Sequence, residues 1–316
     1  MKALVLSGGG SKGAYVGGML EYMKMEMGKE YELYLGTSTG SLLQTLASVN
    51  DFESLKEGYT TMGLDDIYKI SPLKKNGKFN LWSIFRMIVF RKEPTFGDSS
   101  NLKDLIYRFF PQEKYNQSLA EGKNIVTCVT NLSRARSEYY SSVALGEEGY
   151  DKFVDWTWIS GNAVPFTSLV RRGVEDDYYA DGGFMEHVPI RKAIEMGATE
   201  IDVISTKTEN YSGDVDVDFG NNPLELIERM FDVFLRENAD RDIEAAKNIA
   251  KENDVTVNIY FLPKSLTDNT MFFDEKQMRG WWDEGYNYIK KLDEQKDLKK
   301  ACKVIKMRAK KKPTRK

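Results

Sequence analysis

Three short segments of this chain carry residue types whose spacing suits acyl-transfer chemistry. The first is Gly36-Thr37-Ser38-Thr39-Gly40, which falls where an apolar run at 31–35 gives way to a helix-forming stretch at 41–49. A serine between glycines at a strand-to-helix bend sits on a tight turn whose neighbours cannot carry a Cβ, and that turn lifts its hydroxyl above the sheet as a nucleophile. The second segment, Gly8-Gly9-Gly10-Ser11-Lys12-Gly13, follows the apolar run 2–6 and opens a helix. Backbone without side chains lets N–H groups converge on one point, and the helix start adds partial positive charge there. Such a point holds an oxyanion or a phosphate equally well. The amide of Thr39, next after the nucleophile, is a further oxyanion donor. The third segment is Asp181-Gly182-Gly183, at the end of a strand-like stretch. By itself it is a turn signal.

The glycine loop also spells G-x-G-x-x-G, a dinucleotide fingerprint, so a nucleotide-binding oxidoreductase is a rival reading. That use wants an acid at the end of the second strand. Here the strand runs instead into Gly36-Thr37-Ser38, and the nearby Glu32 stands at its beginning. A Walker phosphate loop fails because Lys12 is followed by Gly13 rather than by Ser or Thr. The oxyanion reading therefore leads.

The elements that must position these groups follow from periodicity. Strands are expected at 2–6, 31–35, 125–130, 137–142, 200–205 and 255–262, with a strand or hairpin at 174–180 delivering Asp181. Helices are expected at 14–27, 41–49, 151–160, 223–253 and 274–292, and 51–123 reads as mainly helical. The opening order of strand, glycine loop, helix, strand, turn and helix implies an α/β fold with a parallel sheet. Within the helical region, residues 81–90 are conspicuously apolar. They are expected to pack into a core, or else to line or cover an acyl slot or touch a membrane.

The three segments, together with Ser160-Gly161-Asn162-Ala163-Val164-Pro165-Phe166, occur in the order found in the patatin-like phospholipase family, which this chain resembles over about residues 1–205. The resemblance implies a mainly parallel central sheet with helices on both faces, related to the α/β-hydrolase architecture, with a helical insert at about 51–123 and a C-terminal helical extension. It implies a Ser38–Asp181 dyad that cleaves carboxylic esters of lipids, of the phospholipase A or lysophospholipase type, through an acyl-enzyme. Gly8, Gly9, Gly10 and Thr39 would form the oxyanion hole, supported by Lys12, Gly13, Gly36, Gly40, Gly182 and Gly183. No metal or organic cofactor is implied. Lys12 stands where the family has a basic residue; it orients the loop, attracts an anionic head group or is simply solvated. The single histidine, His187, replaces the asparagine more usual at its position. A Ser-His-Asp triad would need it as base; otherwise it orders the Asp181 loop or is an ordinary structural histidine. A non-catalytic lipid-binding module on the same scaffold is the other alternative.

Composition narrows the field further. The 316 residues are 41% hydrophobic, enough for a sizeable core, and 25 glycines with only 8 prolines argue against a disordered chain. The net charge of -3 hides an asymmetry. Residues 299–316 contain ten Lys or Arg and no acid, which leaves residues 1–298 with 35 basic against 48 acidic groups, a net of -13. An acidic body excludes nucleic acid as the main partner. Residues 1–298 are thus expected to form the hydrolase domain and 299–316 a frayed helix or basic tail that could contact anionic lipid. Cys128 and Cys302 match no metal-ligand spacing and suggest a reducing compartment. With no signal-peptide pattern and no long apolar run, the expected location is cytoplasmic, with peripheral membrane contact.

Overall fold

A computed structural model describes residues 1–209, 223–267, 269–271, 273–298 and 302–305. Among these residues nine strands form one sheet: β1 (Lys2–Leu6), β2 (Leu33–Thr37), β3 (Asn124–Asn131), β4 (Arg136–Ser141), β5 (Val170–Arg172), β6 (Asp177–Asp181), β7 (Glu200–Thr208), β8 (Thr256–Leu262) and β9 (Cys302–Ile305). The order is β5-β6-β3-β2-β1-β7-β8-β9, with β4 pairing β3 off this path. Strands β3, β2, β1, β7 and β8 are mutually parallel, and antiparallel strands flank them on both sides.

Alternation along the strands divides the core into two layers. Leu4, Leu6 and Tyr34 face one side, beneath the helices Gly13–Met25, Thr39–Ser48, Tyr150–Ser160 and Glu275–Glu294. Ala3, Val5, Leu33 and Leu35 face the other, beneath Ile190–Glu195 and Pro223–Asn253. A parallel strand buried on both faces must be apolar at nearly every position, as Lys2–Leu6 is after its first residue. Helix Glu275–Glu294 is no appendage. Its Trp282 ring and backbone lie so close to Gly17 and Gly18 that a Cβ on either glycine would fall within 2.2 Å of it.

The helical region at 51–123 contains Phe52–Thr60, Leu64–Ile67, Leu81–Phe85 continued by a π-helical turn at Arg86–Phe90, Ser100–Phe109 and Gln112–Ala120. Two expectations need correction. The hairpin carrying Asp181 begins at Val170, ahead of the expected 174, because β5 pairs β6 from Val170 opposite Tyr179. Part of the expected tail is sheet: Cys302–Ile305 pairs antiparallel with β8, whose outer edge would otherwise be open. Residues 299–301 and 306–316, which hold the rest of the basic run, lie outside the described residues.

Candidate active site

Register places the glycine loop beside the serine. Leu6 of β1 pairs with Gly36 of β2 and with Ile204 of β7, so the loop after β1 and the bend after β2 leave the sheet side by side, next to the upper part of β7, which runs on to Thr208. Ligand sites in parallel sheets form at such carboxyl ends, where successive connections leave in opposite directions. Ser38 has φ 55 and ψ -126, a conformation costly for any side-chain-bearing residue. Close packing holds it there. A Cβ on Gly36 would lie 2.4 Å from the Gly40 backbone, and one on Gly40 would lie 2.2 Å from the Leu6 carbonyl oxygen. The Ser38 carbonyl accepts from the Ser41 amide at 2.9 Å and from the Ser41 hydroxyl at 2.6 Å, fixing the start of helix Thr39–Ser48.

Asp181 reaches the same point from the opposite direction. Along one edge of β3, Cys128 pairs with Thr37 of β2, and the next residue, Val129, pairs with Asp181 of the antiparallel β6. Because β4 occupies the other edge of β3, β2 and β6 meet end to end, and the residue after Thr37 confronts Asp181. The Ser38 side chain lies close enough to the Asp181 carboxyl to act on its titration, and the Gly183 amide donates to Asp181 Oδ1 at 2.7 Å. Asp181 is only 4% exposed. Burial pushes its carboxyl up to about 7, against the opposing pull of Ser38 and the Gly183 amide.

The oxyanion candidates divide. The Gly8 amide faces the His187 carbonyl, to which it donates at 3.4 Å. Gly9, Gly10 and Thr39 line the cleft beside Ser38. Gly9 at φ 156 and Gly10 at φ 55 are packed against Thr206 and the Thr270 carbonyl, with no room for a side chain. The Thr39 amide lies in the first turn of its helix, where backbone donors have no intrahelical acceptor. Gly13, Gly182 and Gly183 are close-approach positions against Thr39, the Cys128 carbonyl and the His187 ring. Lys12 is buried and lines the cleft.

His187 also lines the cleft, wedged between Gly8 and Gly183. Burial pulls its imidazole down to about 4, and the neighbouring Lys12 acts in the same direction, so the ring is neutral at ordinary pH. Its Nδ1 is buried without a hydrogen-bond partner among the described residues. Asp242, on helix Pro223–Asn253, accepts from the His187 and Val188 amides at 2.6 and 2.9 Å and holds this loop.

Several supporting residues were not assigned roles from the sequence. The Ser160 hydroxyl accepts from the Ser38 amide at 2.9 Å and donates to the Cys128 carbonyl at 2.6 Å, bolting the bend to β3. The Asn162 carbonyl accepts from the Asp181 amide at 2.8 Å. Both belong to the 160–166 segment, so its match to the family pattern was the available signal. Thr206 latches the glycine loop through Ser7 Oγ at 2.9 Å, and Tyr59 ties the helical region to Thr39 Oγ1 at 2.5 Å. Nothing in the local sequence marks these two.

Behind Ser38 opens a cleft with an empty volume of about 1500 Å³, counting its open mouth. Its wall is mostly apolar, with Leu46, Leu55, Leu105, Ile106, Phe110 and Met278 among the contributors. Residues 81–90 do not line it, and most of their apolar side chains are exposed rather than packed into the core as expected; the wall comes from other helices. Among the described residues no group of three or more His, Cys, Asp or Glu could hold a metal ion, and no helix is long and apolar enough to cross a membrane.

A curated relative, "Probable lipid hydrolase 463L" of Invertebrate iridescent virus 6, is 23% identical over 204 residues. That alignment covers 61% of this chain and 63% of the relative, so the chain spans less than two thirds of that protein's length. The crystal structure of VipD from Legionella pneumophila is similar with a TM-score of 0.45 and 14% sequence identity, over 96% of this chain and 67% of that one. A sequence model of the patatin-like phospholipase family matches residues 4–194, from the second residue after β1 begins to the helix beyond Asp181, and by that match the chain belongs to the patatin-like phospholipase family.

Proposed function

We propose that the protein is a lipid acyl hydrolase that cleaves a carboxylic ester through Ser38 and Asp181, with residues 1–298 as the hydrolase domain. The observation that carries this reading is that β2 and β6 end against adjacent residues of β3, which sets the strained Ser38 beside the buried Asp181 carboxyl in the wall of a mostly apolar cleft. A carboxyl titrating near neutrality is ionised often enough to act as base and is basic enough to take a proton.

In the proposed reaction the ester carbonyl enters beside Ser38 with its acyl chain along the apolar wall. The Ser38 hydroxyl gives its proton to Asp181 as its oxygen bonds to the carbonyl carbon. The negative charge that develops on the carbonyl oxygen is held by the amides of Gly9, Gly10 and Thr39 and by the start of helix Thr39–Ser48. Collapse breaks the ester C–O bond, and the leaving alcohol takes the proton back from Asp181. Water then gives a proton to Asp181 and attacks the acyl-serine; breaking that bond returns the proton to Ser38 and frees the fatty acid. A serine-histidine arrangement would place the imidazole between hydroxyl and carboxylate. Here Ser38 and Asp181 face each other across the junction of β2 and β6 while the His187 ring is wedged between Gly8 and Gly183, which supports the dyad and a packing role for His187.

The resemblance to phospholipases and the name of the viral relative support a phospholipid or lysophospholipid substrate. The test is mass spectrometry of products from a mixed lipid extract incubated with the wild type and with Ser38→Ala. Free fatty acid with the matching lyso-lipid or glycerol product is expected only from the wild type. Equal release by both proteins refutes the proposal.

A further inference from the structure

The apolar segment excluded from the cleft is unusual in another way: it faces solvent. Across the helical turns Leu81–Phe85 and Arg86–Phe90, Leu81, Trp82 and Phe90 are each 67% exposed, and Phe85, Ile88 and Val89 are about half exposed. Only Ile84 and Met87 are buried. The Trp82 ring stacks on Phe85, and Phe85 meets Phe90 edge to face, so the exposed rings form one continuous surface. Large aromatic patches on a soluble face mark an interaction site.

Charge identifies what it fits. In a body of net charge -13, residues 67–92 contain seven Lys or Arg and no acid. All seven are exposed; Arg86 lies within the two aromatic turns, Arg91 and Lys92 follow directly, and Lys74 and Lys78 stand in the segment just before them. Apolar rings flanked in the chain by Lys and Arg match the boundary between acyl chains and anionic head groups, where aromatic side chains insert and basic ones meet phosphate. A second exposed apolar strip, Leu226, Met230, Val233 and Phe234, runs along the start of helix Pro223–Asn253. Both strips adjoin one cluster: Ile84 belongs to it, and Phe231 packs against it. Ile67 and Tyr68 of this cluster, and Phe231 and Phe273 packed against it, also line the Ser38 cleft. The exposed surface is thus continuous, through one layer of side chains, with the wall of the cleft.

We propose that residues 81–90, with the strip at 226–234, dock on an anionic lipid bilayer and hold the cleft mouth against it. The identity of the lipid as substrate rests on the hydrolase reading, but docking itself requires no turnover. Sedimentation of the full chain with phosphatidylcholine vesicles, with and without phosphatidylserine, reads it directly, in the wild-type and Ser38→Ala backgrounds. Trp82→Ala/Phe85→Ala/Phe90→Ala is expected to weaken vesicle affinity about tenfold or more. Lys74→Glu/Lys78→Glu/Lys92→Glu is expected to abolish the preference for phosphatidylserine. Circular dichroism in both backgrounds, and fluorophosphonate labelling where Ser38 is intact, report whether each variant is folded. Brominated lipid should quench wild-type fluorescence more than that of Trp82→Phe. Docking with no lipid hydrolysis by the wild type would sink the hydrolase reading alone. Unchanged vesicle binding by the triple-alanine variant overturns the docking proposal, as does failure of the wild type to bind. If the triple-alanine change abolishes a dimer on size exclusion while vesicle binding persists, the surface joins two copies and the proposal is likewise overturned.

Discussion

Asp181→Asn tests the electrostatic argument at its centre. The change is nearly isosteric: the amide oxygen can still accept from Gly183, and the amide nitrogen can donate to the Ser38 oxygen. What it removes is ionisation. Burial raises the Asp181 carboxyl from 3.8 to about 7. Between those values the folded protein holds a proton that the unfolded chain has released, so stability falls as pH rises across that window. Above about 7 the penalty is fully present, and below 3.8 both states are protonated and it vanishes. At 1.36 kcal/mol per pH unit the penalty at alkaline pH is about 4 kcal/mol. With an unfolding entropy of roughly 2.1 cal/mol/K per residue, this corresponds to about 6 °C for a chain of this length. Thermal unfolding followed by circular dichroism should therefore show Asp181→Asn gaining on the wild type by about that much between roughly pH 4 and pH 9. Other titrating groups are common to both proteins, so they cancel in the difference. A difference that does not change with pH would show that the carboxylate is not held under strain, and the argument for Asp181 as a base tuned by burial would fail. The same variant should be inactive, so stability and catalysis move in opposite directions.

Four further outcomes are expected. A fluorophosphonate probe should label Ser38 in the wild type and not in Ser38→Ala; Asp181→Asn should lose labelling and His187→Asn should keep most of it. Loss of labelling in a folded His187→Asn would move the base role to the imidazole. On a water-soluble ester, kcat/KM should rise with pH around the Asp181 ionisation near about 7, and a flat profile across neutrality would exclude that carboxylate as base. Ser160→Ala should leave the Ser38 amide without its acceptor, costing about 1–3 kcal/mol in urea unfolding and slowing labelling; wild-type behaviour in both would show the bend is self-supporting. Leu105→Trp, in the cleft wall, should shift product chain lengths toward shorter acids, and unchanged selectivity would place the acyl chain elsewhere.

The local demands of the bend were legible in the residues themselves. Ser38 at positive φ needs glycines at 36 and 40, and the loop after β1 needs glycines at 9 and 10, because the constraint is steric and acts between close neighbours in the chain. Strand and helix order were likewise readable from periodicity, and helix Pro223–Asn253 falls where the pattern placed it. The partnership of Ser38 with Asp181 was different in kind. These residues are far apart in sequence, and Asp-Gly-Gly alone signals only a turn; they meet because β2 and β6 share one edge of β3.

Three further features belonged to the tertiary structure. The Gly8 amide faces the His187 carbonyl, which no motif foretells. Residues 81–90 have an apolar composition that fits a core as well as a surface, and only packing against Phe231 and its neighbours decides which side chains face outward. Residues 302–305 were expected to be part of a tail and instead close the sheet, because β8 presents an edge for them to pair with. Backbone sterics act over a few residues and are written in the local sequence; the ionisation of a buried carboxylate and the facing of an apolar patch depend on neighbours that only the folded chain supplies.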